Sequence, residues 1–267
     1  MVKTSAWFAS QRTVPMLIVS ILVGEKKKTD ISAAIRRVYE APKITDATCV
    51  FFTNDASMRE EIERKGWRCE ILNPIAFPLY PADSCESSLQ SKYVKFLRFL
   101  NDYEEFAAFS RILYFDHKMR FTAESVSRFV SLLSVENAPS SSASVLVRET
   151  PPLKTSVWDE VRASENMRRY ALAMPATKDF VRTFLRENAP QVSESVRVCN
   201  TGSILYVFDR HVDARKTIRR FTDSIYDTIM RLGQPECQIF WCLFAQKYEG
   251  LVKTVPFNAV SVEWRSP

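Results

Sequence analysis

Arg-Ile-Leu-Tyr-Phe-Asp-His-Lys, residues 111–118, is the stretch that decides the fold class of this 267-residue chain. Residues 111–115 have the length and apolar character of a buried central strand, and three polar residues, Asp116, His117 and Lys118, follow it directly. Continuous apolar runs are typical of strands that are covered on both faces of a sheet. Ligands of open α/β sheets bind beyond the carboxyl ends of such strands, so this segment predicts both a fold and a site.

Outward from this segment, apolar runs of strand length alternate with longer amphipathic stretches. This alternation predicts an α/β protein with a central sheet flanked by helices. We expect one domain, residues 1–267, because no repeat or long linker divides the chain. The predicted strands are 16–23, 49–53, 68–72, 111–115, 145–147, 198–208 and 251–255, and the predicted helices are 30–39, 57–65, 87–106, 123–133, 157–174, 177–187, 213–232 and 235–248.

Composition restricts the class of ligand and the cellular setting. The formal net charge of +6 is compatible with an anionic ligand such as a nucleotide. The basic residues are scattered and accompany no DNA- or RNA-binding motif, so we expect no nucleic-acid partner. The apolar stretch 15–23 is too short to span a bilayer. The six cysteines form no CxxC pair and are expected to be reduced thiols of a cytoplasmic protein.

Two other predicted strands also end in residues that can approach a ligand. Gly24 follows the first strand and either allows the backbone to approach a nucleotide closely or makes a plain turn. Asp55 follows the second strand and either accepts hydrogen bonds from a base or ribose or caps the next helix. The sequence contains no GxGxxG, GxxxxGK[ST] or GxSxG motif, so the common dinucleotide, P-loop and hydrolase signatures are excluded.

Asp116 requires a partner, because an unpaired carboxylate at the edge of a core is costly. A metal ion, a ligand hydroxyl or a nearby cation would satisfy it. Lys118 lies on the same side of the chain as Asp116 if the chain stays extended. The two residues then either form an ion pair or have separate functions in ligand binding. In the second case Asp116 holds a sugar hydroxyl while Lys118 neutralises a diphosphate. Lys92 and Lys95 share one helix face and either extend a phosphate site or are solvated.

Two further polar groups are candidates for contact with an acceptor. Asn200, Thr201 and Gly202 interrupt a predicted strand with small polar groups, which suits a polyhydroxylated ligand or marks a bulge. Glu236 and Gln238 open the last predicted helix as ligands or as caps.

The chain resembles a known family in several segments that occur in the same order. Residues 110–121 resemble the strand and D-x-K motif of the DUF616-type glycosyltransferase-like family. Further similar segments are 50–55 with 66–67, 91–95, 199–203 and 237–241. The resemblance extends over about residues 16–257. It implies a GT-A-like, Rossmann-type nucleotide-binding fold with a central mixed sheet flanked by helices, and it implies Asp116 and Lys118 as the catalytic pair.

The resemblance also implies an activity. It points to transfer of a sugar from a nucleotide-sugar donor to a carbohydrate or glycan acceptor, in the synthesis of a polysaccharide or surface glycan. The donor would contact Gly24, Asp55, Lys92, Lys95 and His117. The acceptor would contact Asn200, Thr201, Gly202, Glu236 and Gln238. The alternatives are a non-catalytic nucleotide- or glycan-binding module and a hydrolase on the same scaffold.

One residue departs from the pattern of this family, and another departs from that of the wider GT-A class. Lys118 replaces the second aspartate of the D-x-D motif of the wider GT-A class, and Cys237 replaces a usually acidic residue at a helix start. A protein cation can stabilise a leaving diphosphate as a metal ion does. The sequence therefore favours a metal-independent mechanism over one that uses Mn²⁺ or Mg²⁺. Glu149 and Glu236 are the candidates for a catalytic base.

Overall fold

The computed structural model describes residues 15–23, 35–36, 38–73, 86–134 and 143–264. Gly24 lies outside the described residues. So do most of the predicted helix 30–39, most of the proline-rich connection 73–81 and most of the serine-rich stretch 140–144.

A seven-stranded mixed sheet forms the centre of the described structure. Its strands are β1 Met16–Leu22, β2 Ala47–Thr53, β3 Arg68–Ile71, β4 Arg111–Phe115, β6 Val145–Glu149, β7 Cys199–Val207 and β8 Val252–Val255. They lie in the order β3-β2-β1-β4-β7-β6-β8, and within this sheet β7 alone runs antiparallel to its neighbours. The predicted α/β fold with a mixed sheet is confirmed, and β4 is its central strand.

Helices cover both faces of this sheet. They are α1 Arg59–Arg64, α2 Glu86–Lys95, α3 Ala123–Ser134, α4 Val157–Glu165, α5 Met174–Glu187, α6 Ala214–Leu232 and α7 Cys237–Lys247. Side chains of β1 alternate between the two faces: Leu17 packs with α2, α6 and α7, and Ile18 packs with α1 and α3. A third, smaller cluster joins α4 and α5 to Ile239 and Leu243 of α7.

The long helix predicted over 87–106 is wrong. α2 ends at Lys95, Leu97 has a left-handed backbone with φ of 63°, and short 3₁₀ turns follow. Distant side chains satisfy the carbonyls at this break. The Tyr206 hydroxyl donates to the Lys95 carbonyl at 2.9 Å, and Arg219 donates to the Leu97 carbonyl at 2.7 Å. These tertiary hydrogen bonds stop a helix that the apolar spacing alone would continue.

The helix predicted over 157–174 is also shorter than expected. α4 ends at Glu165, a 3₁₀ turn covers Ala171–Ala173, and α5 begins at Met174. Pro175 lies in the first turn of α5, where the missing N–H costs no hydrogen bond.

The strand predicted over 198–208 is continuous rather than interrupted. β6 and β7 change register at one point, because Val147 pairs with Ile204 whereas Arg148 pairs with Asn200. Residues 201–203 therefore bulge on the side of β7 that faces β6. The bulge alternative for Asn200, Thr201 and Gly202 is thus the correct description of the backbone.

Two small features complete the fold. β5 Met119–Arg120 pairs with β9 Glu263–Trp264 in a separate ribbon, which sequence analysis missed because two residues carry no periodicity. In the part of the chain that the structure describes, no helix has both the length and the apolar composition that crossing a membrane requires.

Candidate active site

A cavity of about 330 Å³ opens at the edge of the sheet where β1 and β4 end. Its walls are the ends of these strands, one face of α2, the start of β7, the start of α7 and the loop after α4. The lining residues are Ile21, Leu22, Val23, Ser87, Ser88, Ser91, Lys92, Lys95, Tyr114, Asp116, His117, Lys118, Arg169, Tyr170, Asn200, Thr201, Gly202, Pro235, Glu236, Cys237 and Gln238.

Asp116 lies at the end of β4 and has two partners on one carboxylate oxygen. The Tyr114 hydroxyl donates to Oδ1 at 2.6 Å, and Lys95 Nζ is 3.3 Å from the same atom. Burial alone would raise the pKa of Asp116, but Lys95, the Tyr114 hydroxyl and Lys92 together lower it below its ordinary value. Asp116 is therefore ionised near neutral pH.

Two lysines of α2 present positive charge to the cavity from buried positions. Lys95 is 4% exposed, pairs with Asp116 and lies 5.1 Å from the centre of the Tyr114 ring. Lys92 is 8% exposed and has no hydrogen-bond or ion-pair partner among the described residues. Burial lowers the pKa of Lys92, and the charge of Lys95 acts in the same direction. An anion in the cavity would relieve this unfavourable burial.

The bulge of β7 holds Asp116 closely from the opposite side. The Asp116 backbone N–H donates to the Gly202 carbonyl at 2.8 Å, and the Gly202 N–H donates to Asn200 Oδ1 at 2.8 Å. A methyl group at Gly202 would lie 2.9 Å from Asn200 Oδ1 and 3.2 Å from Asp116 Oδ2. An alanine at position 202 would therefore force at least one of these side chains to move.

His117 and Lys118 form a turn rather than an extension of β4. The Met119 N–H donates to the Asp116 carbonyl at 2.8 Å, and His117 Nδ1 donates to the Ile21 carbonyl at 3.2 Å. Of the two alternatives for Asp116 and Lys118, the ion pair does not form, since the partner of Asp116 is Lys95. Lys118 still lines the cavity, and its ammonium group has no ion pair within the described part of the chain.

A second polar network lies at the start of α7. Glu236 caps the helix by accepting from the Gln238 N–H at 3.1 Å, and Gln238 Nε2 is 3.2 Å from Glu160 Oε1 and 3.3 Å from Glu236 Oε1. Burial and the charge of Glu236 raise the pKa of Tyr170 well above its ordinary value. Burial and the charge of Glu236 raise the pKa of Glu160, which pairs with Lys154.

The cavity brings together ten of the thirteen residues that the sequence nominated. These are Lys92, Lys95, Asp116, His117, Lys118, Asn200, Thr201, Gly202, Glu236 and Gln238. Asp55 is not among the lining residues, and its carboxylate accepts from the Ser57 N–H at 2.9 Å as a cap. Gly24 lies outside the described residues. The donor-binding hypothesis for Asp55 thus gives way to the capping alternative.

Sequence reasoning missed several lining residues. Tyr114 could have been found, because it lies two residues before Asp116 and therefore on the same side of the strand. Arg169 and Tyr170 could not, because the helix predicted there hid the loop that brings them to the cavity. Glu149 does not line the cavity and pairs with Arg197 at 2.7 Å, so Glu236 is the base candidate that the structure places in the cavity.

The residues present do not fit a divalent ion held by protein side chains. Asp116 Oδ1 is engaged by Lys95 and Tyr114, and the neighbouring lining side chains include the three cations Lys92, Lys95 and Lys118. Across the described ranges, no group of three His, Cys, Asp or Glu side chains is arranged as a metal site.

Comparison with known proteins finds similarity at the level of structure. No protein-family model matches the chain. No curated protein matches it either. Among solved structures, it is similar to apo xyloside xylosyltransferase 1 from mouse, with 10% sequence identity, a TM-score of 0.49 and coverage of 91% of this chain and 85% of that chain. A similarity of this size assigns no reaction, and membership of the DUF616-type family stays a prediction.

Proposed function

We propose that this chain is a glycosyltransferase with a single GT-A-like domain that transfers a sugar from a nucleotide-sugar donor to a carbohydrate or glycan acceptor. The observation that carries the proposal is the buried ammonium of Lys92, which has no ion-pair partner among the described residues, beside the Lys95–Asp116 ion pair. This arrangement lies where nucleotides bind in open α/β sheets. A diphosphate would be a counter-ion for the Lys92 ammonium, and the Asp116 carboxylate can accept a hydrogen bond from a sugar hydroxyl.

The transfer step assigns a role to each part of the cavity. The acceptor oxygen attacks the anomeric carbon of the donor while the bond from that carbon to the phosphate oxygen breaks. The nucleoside diphosphate leaves with the bonding electrons, and Lys92 and Lys118 stabilise its charge. Glu236 is the proposed acceptor of the proton that the hydroxyl loses. The walls at Asn200 and Gln238 offer amide groups to the acceptor sugar.

A non-catalytic nucleotide- or glycan-binding module is the second candidate. The contacts of the two carboxylates favour it. Asp116 Oδ1 already contacts Lys95 and Tyr114, and the Glu236 side chain caps a helix, so both groups have structural partners without a substrate. Such a module would bind a donor without releasing sugar or nucleoside diphosphate.

A thermal-shift screen of nucleoside diphosphates and nucleotide sugars, with and without Mn²⁺, tests the proposal. At a ligand concentration of about 100 times Kd, binding adds about 2.7 kcal/mol to the free energy of unfolding. We expect at least one nucleoside diphosphate to stabilise the protein without Mn²⁺ and Lys92→Met to remove this effect. Asp55→Asn is the matched control, because its carboxylate does not line the cavity, and it should retain the effect.

Product analysis with the ligand found in the screen separates the two candidates. Transfer yields a glycosylated acceptor, hydrolysis yields free sugar, and a binding module yields neither. The proposal fails if no nucleoside diphosphate or nucleotide sugar stabilises the protein, or if Asp116→Asn leaves a detected transfer rate unchanged.

A further inference from the structure

One thiol of the cavity has no role in the proposed transfer. Cys237 is the first residue of α7, is 2% exposed and lines the cavity. Its Sγ lies 3.1 Å from Thr201 Oγ1 and 3.9 Å from Lys95 Nζ. Thiols beside ammonium groups and at the start of a helix are in the setting in which cysteines act as nucleophiles.

Lys92 provides an independent indication that this corner accepts a negatively charged group. Its ammonium is more than nine-tenths buried, lines the same cavity and has no hydrogen-bond or ion-pair partner within the described ranges. Cys237 and Lys92 interact electrostatically, with the sulfur favouring the charged form of the lysine. A negative charge at Sγ therefore has two ammonium groups near it, those of Lys92 and Lys95.

The other described thiols lie away from the cavity. Burial raises the pKa of Cys49 and of Cys199 to about 11. Burial also raises the pKa of Cys69 and of Cys242, for Cys242 well above its ordinary value. None of these four lines the cavity. They are the internal standards against which the reactivity of Cys237 can be measured.

We propose that Cys237 is a modification site, a nucleophilic thiol that small neutral electrophiles reach through the cavity and that competes with an anion for the same space. The proposal goes beyond the transfer reaction and does not depend on it. With iodoacetamide the step is a substitution: Sγ forms a bond to the methylene carbon, the carbon–iodine bond breaks, and iodide leaves with the bonding pair. The thiol proton passes to solvent.

Peptide mass spectrometry after timed alkylation of the folded full-length chain tests the proposal. We expect iodoacetamide to modify Cys237 about tenfold faster than Cys242, which lies on the same helix but faces the core. Inorganic pyrophosphate should slow the modification of Cys237 and leave Cys49 unaffected. Lys92→Met should slow it several-fold, because one of the two neighbouring ammonium groups is lost. Cys237→Ser identifies the labelled peptide.

Equal rates at Cys237 and Cys242 in the folded protein would overturn the modification site. An unchanged rate at saturating pyrophosphate would overturn the competition with an anion. Both measurements are made without any nucleotide. If Cys237 is labelled rapidly but the protein binds no nucleotide, the proposed transferase is rejected and the modification site is kept. If the protein binds a nucleotide but Cys237 is not labelled, the modification site is rejected and the proposed transferase is kept.

Discussion

At the scale of single residues, Gly202 links the bulge of β7 to the carboxylate of Asp116. We expect Gly202→Ala to lower the free energy of unfolding by about 1–3 kcal/mol, since the new methyl group must displace Asn200 Oδ1, Asp116 Oδ2 or both. Urea unfolding measures the loss, and pyrophosphate affinity should fall with it.

Gly66→Ala is the control for this substitution. Gly66 has φ of +84°, so alanine there is strained, but its methyl group would meet only Ala41 at 3.6 Å. We expect a loss of stability with unchanged pyrophosphate affinity. If Gly202→Ala changes neither stability nor pyrophosphate affinity, the side chains of Asn200 and Asp116 move aside at no cost and the prediction is wrong.

The Lys95–Asp116 pair gives the molecule a defined response to acid. Asp116 has a folded-state pKa below its ordinary value of 3.8, so its contribution to stability is complete above 3.8 and is lost as the pH falls through the lower folded value. Asp116→Asn leaves Lys95 buried without its counter-ion. We expect the free energy of unfolding to fall by about 2–3 kcal/mol at neutral pH. Breaking a fully buried ion pair typically costs about 3–5 kcal/mol, and the cost is smaller here because the Asp116 side chain is partly exposed.

Urea unfolding of wild type and Asp116→Asn over a series of pH values checks this response. The difference between the two proteins should shrink as the pH falls below 3.8. A difference that stays constant into strong acid would mean that Asp116 does not titrate with a lowered pKa.

Arg148 is a buried cation of a different kind. It is 2% exposed, donates to Ser203 Oγ at 3.3 Å and lies 4.9 Å from the centre of the Phe257 ring, with no carboxylate in ion-pair distance in the described ranges. Burial lowers the pKa of Arg148 to about 10. We expect Arg148→Met to leave stability unchanged or to raise it by about 1–2 kcal/mol, because the unpaired charge is removed.

Arg197→Met is the comparison for Arg148→Met. Its side chain is 70% exposed and pairs with Glu149, so the change in free energy of unfolding should stay within about 0.5 kcal/mol. A large loss in Arg148→Met alone would show that its hydrogen bonds outweigh the cost of burying the charge.

At the scale of elements, the end of α2 positions both lysines of the cavity. The Tyr206 hydroxyl donates to the Lys95 carbonyl and is fully buried. We expect Tyr206→Phe to cost about 1–3 kcal/mol, because a buried carbonyl loses its partner. Pyrophosphate affinity should also fall as the last turn of α2 loosens.

Tyr226→Phe is the control for Tyr206→Phe. It removes a tyrosine hydroxyl of α6 from the same apolar cluster and should leave pyrophosphate affinity unchanged. Equal stability and equal affinity in the two variants would contradict the role of the hydrogen bond from Tyr206.

The elements also show how far the sequence could predict this molecule. The central strand and its polar end were predictable, because an apolar run that stops at a charged residue such as Asp116 is typical of a buried strand in an α/β sheet. The end of α2 was not, because Tyr206 and Arg219 stop it from more than a hundred positions away. The pairing of Asp116 with Lys95 instead of Lys118 was hidden as well, because Lys95 lies on α2 and only the tertiary fold brings it to the end of β4. The spacing of residues along the sequence indicates which residues are close within one helix or strand. The lining of a cavity comes from segments that are far apart in the sequence.

At the scale of the whole molecule, the three apolar clusters differ in size. The two that cover the sheet contain most of the buried side chains, whereas the third, around Val161 and Val181, joins α4 and α5 to α7. The loop between α4 and α5 carries Arg169 and Tyr170 to the cavity. Regions with a smaller apolar interface open at lower free energy.

Hydrogen exchange followed by mass spectrometry checks this difference. We expect amides of β1, β4 and β7 to exchange most slowly and those of α4 and α5 to exchange faster. Binding of a nucleoside diphosphate should slow exchange in the loop around Tyr170. Protection of α4 equal to that of β4 in the free protein would contradict the ranking.

The antiparallel direction of β7 has a consequence for how this protein can diversify. β1 and β4 reach the cavity with their last residues, whereas β7 reaches it with its first, and residues 201–203 have no pairing partner on β6. Gly202 is held by its close neighbours, but the side chain of Thr201 contacts the thiol of Cys237 without a role in strand register. Thr201 is 2% exposed, so substitutions of similar size at position 201 are the ones expected to alter the cavity wall while the sheet keeps its alignment.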